Sequence, residues 1–345
     1  MRNLTPSDQR AVQAARHRCA LFGRDDWLAV EVQGPDTRKF LHNMLTQEVK
    51  ALPDLAVRDA CLCDAQGAML AVTRLVMDGE RAILWTDLQN AQGLADQLDK
   101  YVIMDDVQVH VQEELALLVI VGPQAENCLQ AAHLPAPQAL GQAVAATMDT
   151  HNVLIWRQDL DGRPDAPHGP GQPAFWLQVA RAQFGDLASQ LLAAGAQAGT
   201  HGGLELLRVR AGIPRLQLDL EPGTLPLEAG LKAAIDYRKG CYLGQEAIAI
   251  MTYRGQARRH LCWLQPLDGD LPAPGTQLRT QDGKRAGKLG SAVADGEERW
   301  ALGTVQRKAY TPGGIVVATA EDGQSARLRI IATTEAGVFV EPAAT

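Results

Sequence analysis

The sequence has no apolar run near the roughly 20 residues that a membrane helix needs, so no membrane span is expected. Residues 1–21 lack the apolar core of a secretory signal. They carry Arg2, Arg10, Arg16 and Arg18, but Asp8 interrupts the basic stretch and Asp25 and Asp26 follow, unlike a mitochondrial presequence. An ordinary surface helix is the expectation there. Cysteine is sparse: Cys19, Cys61, Cys63, Cys128, Cys241 and Cys262 form no CxxC pair and are too few for a disulfide scaffold. Free thiols fit a reducing compartment, and the cytoplasm is the expected location. Excess positive charge is also missing. The formal net charge of −7 excludes a surface that grips nucleic acid all round, though not one local basic patch. Neither internal repeats nor low-complexity segments are evident.

What is present is ordinary globular material, 345 residues with 46% hydrophobic side chains, enough for two or three domains. Residues 27–32 alternate like a strand, Gly34-Pro35 breaks it, and Asp36 or Thr37 can cap a helix through Leu45. Strand-like runs follow at 59–64, 69–77 and 81–86, then helical spacing over 88–101. Strands at 107–111 and 115–121 lead through Gly122-Pro123 into a helix holding Cys128. Residues 152–158 and 174–180 read as strands, with a long hairpin loop over 159–173. Helices are expected over 182–198 and 204–211. From 261 the texture changes to short strands, at 261–267, 286–293, 300–305, 314–319 and 326–332, the pattern of a small antiparallel barrel. The whole reads as α+β, with a boundary near 252–259. In the strand 59–64, Cys61 and Cys63 share one face; further ligands for a metal are not evident nearby, so both are read as core residues.

The chemistry concentrates in residues 226–255, around Lys239-Gly-Cys-Tyr-Leu-Gly-Gln-Glu246. Gly240 and Gly244 flank Cys241 and permit unusual backbone angles. A good helix former follows Gly244, which puts Cys241 just before a helix N-terminus, with Arg238 and Lys239 upstream. Both features favour thiolate over thiol. Such a cysteine can be a nucleophile, a redox group or a soft-metal ligand; a buried small hydrophobe is the equally weighted alternative.

This octapeptide is similar to the K-G-C-[FY]-x-G-Q-E signature of the YgfZ-like branch of the glycine-cleavage T-protein superfamily. Other stretches resemble that superfamily in the right order: Val32-Gln-Gly-Pro-Asp36 with Phe40 to Thr46, Asp64-Ala-Gln-Gly67, Leu207 to Pro214, and Tyr253-Arg-Gly255. The resemblance implies a body of two intertwined α+β subdomains around a central channel (1–255) and a C-terminal antiparallel β-barrel (256–345). It implies tetrahydrofolate as ligand and a role in the assembly or repair of iron–sulfur enzymes, tRNA-modifying ones included. Iron–sulfur enzymes or their assembly factors would be the partners of a monomer that touches no nucleic acid directly.

Residue by residue, the resemblance makes Cys241 the reactive group, with no resident metal. Tyr242, Gln245 and Glu246 would line its cavity. Glu205 would accept from the pterin N–H groups and Trp27 would pack on the ring, although a helix-terminal charge and a core anchor are equal alternatives. Arg254, in a basic cluster with Arg258, Arg259 and His260, would meet the folate tail or an acidic partner surface. Two departures matter. Leu204 stands where some relatives carry a second tryptophan. Gly93 falls where the T-protein keeps its catalytic aspartate, with Asp87 and Asp96 nearby read as helix capping and a solvated face. A one-carbon transferase and a non-catalytic scaffold are the competing functions.

Overall fold

The computed structural model describes residues 2–333, apart from 149–150, 161–171, 255–256, 269–270, 296–297, 321–322 and 324. Most of the expected hairpin loop over 159–173 lies outside the described residues. Its flanking strands, His151–Arg157 and Ala174–Ala180, pair antiparallel.

Three sheets organise the chain. The first holds Val57–Cys63, Met69–Asp78, Arg81–Asp87, Trp27–Gln33 and Gln108–Gln112, in that spatial order. The second runs Gln197–Ala198, Ala20–Gly23, Leu115–Val121, Ala174–Ala180, His151–Arg157 and Ala143–Met148. Ala20–Gly23 thus belongs to the second sheet although it precedes the whole first sheet in sequence. That excursion is what intertwines the two subdomains. Each sheet buries one face under helices. Phe40, Leu41, Leu94 and Leu98, from helices Thr37–Met44 and Leu88–Asp99, cover the first. Cys128, Leu129, Leu187 and Leu191 cover the second. Alternation along Val57–Cys63 sends Ala60 and Leu62 to that first core, and Val57, Cys61 and Cys63 to the central one.

The third sheet closes on itself as a six-stranded antiparallel barrel. It contains Gln277–Thr280, a strand too short and polar to stand out in the sequence. Arg2–Asn3 adds to it in parallel, opposite Val293 and Ala294.

The N-terminal helix Pro6–His17 is not an ordinary surface helix. Ala11, Val12 and Ala15 are fully buried, and it packs against helix His201–Ala211. Asp8 closes a capping box with Thr5 and also caps the second helix, accepting from Gly203 N at 3.0 Å and from the Thr200 hydroxyl. The expected helix over 182–198 is shorter, Phe184–Ala193, because Gln197–Ala198 leaves to pair with Ala20–Leu21.

Candidate functional site

A cavity of about 930 Å³, counted to its open mouth, lies among the two body sheets and the end of helix His201–Ala211. Trp27 opens the third strand of the chain, and Trp176 stands on a strand of the other sheet. Their rings face across the cavity wall at 5.6 Å, tilted by 32°. Arg24 lies 4.3 Å from the Trp27 ring and Arg74 4.3 Å from the Trp176 ring. Each guanidinium is held by a carboxylate: Arg24 donates to both oxygens of Asp26 at 2.8 and 3.0 Å, and Arg74 to Asp59 at 3.0 Å. Fixed cations against indole faces stiffen the wall and hold the indole pair in place.

Glu205 lines the same cavity from the first turns of its helix. Both of its oxygens accept from the buried Arg208, at 3.0 Å from Nε and closer from Nη2, and Arg215 stands 3.9 Å away. Burial works to raise its pKa, but Arg208 outweighs this and holds the carboxyl below the usual range. Glu205 is therefore an anion with lone pairs left for a ligand donor. Arg208 also donates to Asp219 at 2.7 Å and to the hydroxyl of Ser291 in the barrel, so one guanidinium ties the cavity floor to the third sheet.

Asp87 ends the strand Arg81–Asp87 and faces this cavity, not the helix after it: its side chain makes no capping hydrogen bond. Its nearest cation is Arg215 at 3.5 Å, and burial raises its pKa. The capping role expected for Asp87 is thus corrected. Gly93 lies on the exposed side of the helix with open space around its Cα, and it lines no part of this cavity. Leu204 is on the wall as expected, and the second indole arrives instead from Trp176. Arg24, Arg74, Trp176 and Asp87 were not singled out as ligand contacts by the sequence. They come from four strands or turns and share no motif.

The signature segment sits apart. Of residues 226–255, only Leu231 lines the cavity among the described residues. Cys241 is exposed, in the turn before helix Gln245–Arg254, while the other five cysteines are buried. Glu246 is exposed, Tyr242 and Gln245 are half-buried, and the Arg254 side chain lies outside the described residues. Tyr242 packs on the central core, where burial raises its pKa.

Lys239 is the surprise of the motif. It is 7% exposed, and its ammonium donates to the carbonyls of His42, Leu45 and Gln47 at 2.5, 2.6 and 2.7 Å. These are the carbonyls that helix Thr37–Met44 and its exit leave without partners, and a cation there also opposes the helix dipole. Burial pushes its pKa down to about 8. Thr46 completes the seam, donating to Ala234 O at 2.6 Å and accepting from Cys61 N at 2.9 Å. The opening motif and the signature are thus two sides of one joint that presents Cys241 to solvent. No group of three or more potential metal ligands exists among the described residues.

Residues 2–239 match the family model described as GCVT N-terminal domain. The chain is 26% identical over 284 residues to the tRNA-modifying protein YgfZ of Klebsiella pneumoniae, covering 81% of this chain and 82% of that one. With the tRNA-modifying protein YgfZ of Edwardsiella ictaluri it shares 29% over 335 residues, 92% and 93% of the two chains. The glycine cleavage system aminomethyltransferase T of Bartonella henselae has the same fold, with a TM-score of 0.80 at 23% identity over 96% of this chain and 90% of that one. The matched domain, the similarity to these relatives over most of the chain and the shared fold together place this chain in the GCVT family, as a YgfZ-like member.

Proposed function

We propose that this protein binds tetrahydrofolate in the tryptophan-lined cavity and acts as an accessory to iron–sulfur enzymes, those that modify tRNA among them, with Cys241 as its reactive group. The observation that carries the reading is the indole pair Trp27–Trp176 beside the buried anion Glu205. A flat heterocycle with adjacent N–H donors matches that combination: planar walls for the ring and a carboxylate for the donors. Arg215, a partly exposed cation on the same lining, suits a carboxylate tail. When bound, the folate would supply one-carbon chemistry; this chain's residues hold the ring, fix its orientation and keep water from its buried edge. The relatives from Klebsiella and Edwardsiella, named as tRNA-modifying proteins, support the choice of client.

Cys241 stands outside the cavity wall, so its role is read as contact with a client and not with the ligand's ring. The test has two arms. Titration with tetrahydrofolate, followed by tryptophan fluorescence, should saturate at micromolar ligand and weaken at least tenfold in Trp27→Leu. No binding at millimolar ligand would remove the folate reading. In a strain lacking the native gene, Cys241→Ala should fail to restore activity of an iron–sulfur tRNA-modifying enzyme, and full rescue would end the proposed role of the thiol.

Asp87 favours a second reading, a folate-dependent one-carbon transferase. A cavity-facing carboxyl with a raised pKa can hold a proton near a bound amine. Tetrahydrofolate-dependent release of methylenetetrahydrofolate from an aminomethyl donor, lost in Asp87→Asn, would mark it.

A further inference from the structure

A second concavity, of about 520 Å³, opens at the seam between body and barrel. Arg258 and Arg259 enter it where the first barrel strand begins. Arg285 joins from a second strand, and Thr304 and Gln306 from a third. Glu221 is the one acid on its wall among the described residues. Its carboxylate is divided between Arg259 at 3.2 Å and Arg285 at 3.4 Å; Arg259 also reaches the buried Glu228 at 3.5 Å. Arg258 is exposed and its guanidinium meets no carboxylate among the described residues. Its carbonyl accepts from Arg307 N at 3.0 Å, which brings exposed Arg307 and Lys308 to the rim, likewise without carboxylate partners among the described residues. Five cations thus gather around Glu221 and the buried Glu228, in a chain of net charge −7. The net charge averages this patch away, and it is the local basic patch that the overall charge does not exclude.

We propose that this seam binds the phosphate backbone of RNA. Guanidinium forks match phosphate oxygens in pairs, and the half-buried Gln306 amide adds a neutral donor of the kind that accompanies backbone contacts. The cations spread from the crevice onto the outer turn 307–309, which fits a row of phosphates better than one enclosed anion. Among the described residues no aromatic ring lines the crevice, so it positions RNA without stacking on its bases. The choice of RNA rests on the tRNA-modification reading above.

The test uses the full chain and a fluorescein-labelled, unmodified tRNA transcript, followed by anisotropy at low salt. Arg258 and Arg285 are exposed, so Arg258→Ala/Arg285→Ala should fold. It should bind the transcript at least tenfold more weakly, with a salt slope shallower by about two. Glu221→Gln, which frees two guanidinium groups, should bind it more tightly. Equal binding by the double variant and the parent, or no binding by the parent, overturns the proposal. So does displacement of the transcript by micromolar pyrophosphate, which would mark a small-anion site. Arg258 and Arg285 line this crevice and no part of the tryptophan-lined cavity, contrary to the folate-tail contact expected of the Arg258 cluster, so tetrahydrofolate binding, read by tryptophan fluorescence, should be unchanged in the double variant, which separates failure of this surface from failure of the folate cavity.

Discussion

Gly67 and Gly244 lie against each other: a Cβ added to Gly244 would stand 3.0 Å from Gly67 Cα and 2.4 Å from Asp64 O. Both have positive φ, +78° and +82°. The Asp64-Ala-Gln-Gly67 turn and the Gly244 end of the signature are therefore one packing unit, though 177 positions separate the glycines, 244 minus 67.

Gly244→Ala should lower stability by about 2–4 kcal/mol, combining left-handed backbone strain with overpacking against backbone atoms that cannot move aside. Gly79→Ala provides the control. Its φ is +61° with open space around it, so only the backbone penalty of about 1 kcal/mol applies. Urea denaturation of the two variants should separate them; equal losses would mean that the contact is unimportant.

A thiol reagent added to the native protein should titrate one fast cysteine, Cys241, and five more only after denaturation. Cys241→Ser should remove the fast phase with less than about 0.5 kcal/mol change in stability, as expected for an exposed side chain. Lys239→Met should cost about 2–4 kcal/mol, since three buried carbonyls lose their donor. It should also change the rate of the fast phase, because the joint that presents the thiol is loosened. An unchanged rate would show that Lys239 does not position it.

Asp8 supplies an acid-sensitive latch. Burial alone would raise its pKa, but hydrogen bonds from Thr200, Thr5 and Gly203 hold it below the usual range. A lowered folded pKa gives stability that is present above the unfolded value, near 4, and lost as pH falls through the folded one. Asp8→Asn should thus be less stable by about 2 kcal/mol at pH 7, with the gap narrowing below about pH 4. A gap independent of pH would assign the loss to shape instead of charge.

Asp87 behaves in the opposite sense. Its raised pKa means that the folded state holds the proton more tightly than the unfolded chain, so this group's contribution falls as pH rises above about 4. Asp87→Asn should therefore melt no lower than the parent at pH 7. Combined with weaker ligand binding or lost transfer, that result would mark a side chain kept for function at the expense of stability. A clear drop in melting temperature would make it structural.

Much of the fold was legible because it rests on short-range signals. Alternation marked Trp27–Gln33 and Val57–Cys63, and Gly-Pro pairs marked where strands gave way to helices. The signature octapeptide identified the family, and Trp27 and Glu205 were reachable through it. The rest of the cavity was not. Arg24 and Trp27 meet Arg74 and Trp176 only where two sheets built from distant strands come together, which no local window records. Gly93 was a matter of register: counting along the helix without gaps landed on its solvent side, while the strand end six residues earlier put Asp87 inside. Lys239 misled because a lysine beside a cysteine reads as a cation for the thiolate. Its long side chain instead turns inward to the carbonyls of another segment. Gln277–Thr280 was missed because three polar residues around the single apolar Leu278 become a strand only when neighbours supply both edges.

The pairing of Arg2–Asn3 with Val293 and Ala294 also sets a timetable for biosynthesis. Arg2 and Asn3 acquire these neighbours only after some 290 more residues have been joined, about 15–60 s at ordinary translation rates. Pro6–His17, with its row of buried alanines, waits in the same way for helix His201–Ala211, and until that helix is made the nascent chain must shelter the apolar stripe by other means.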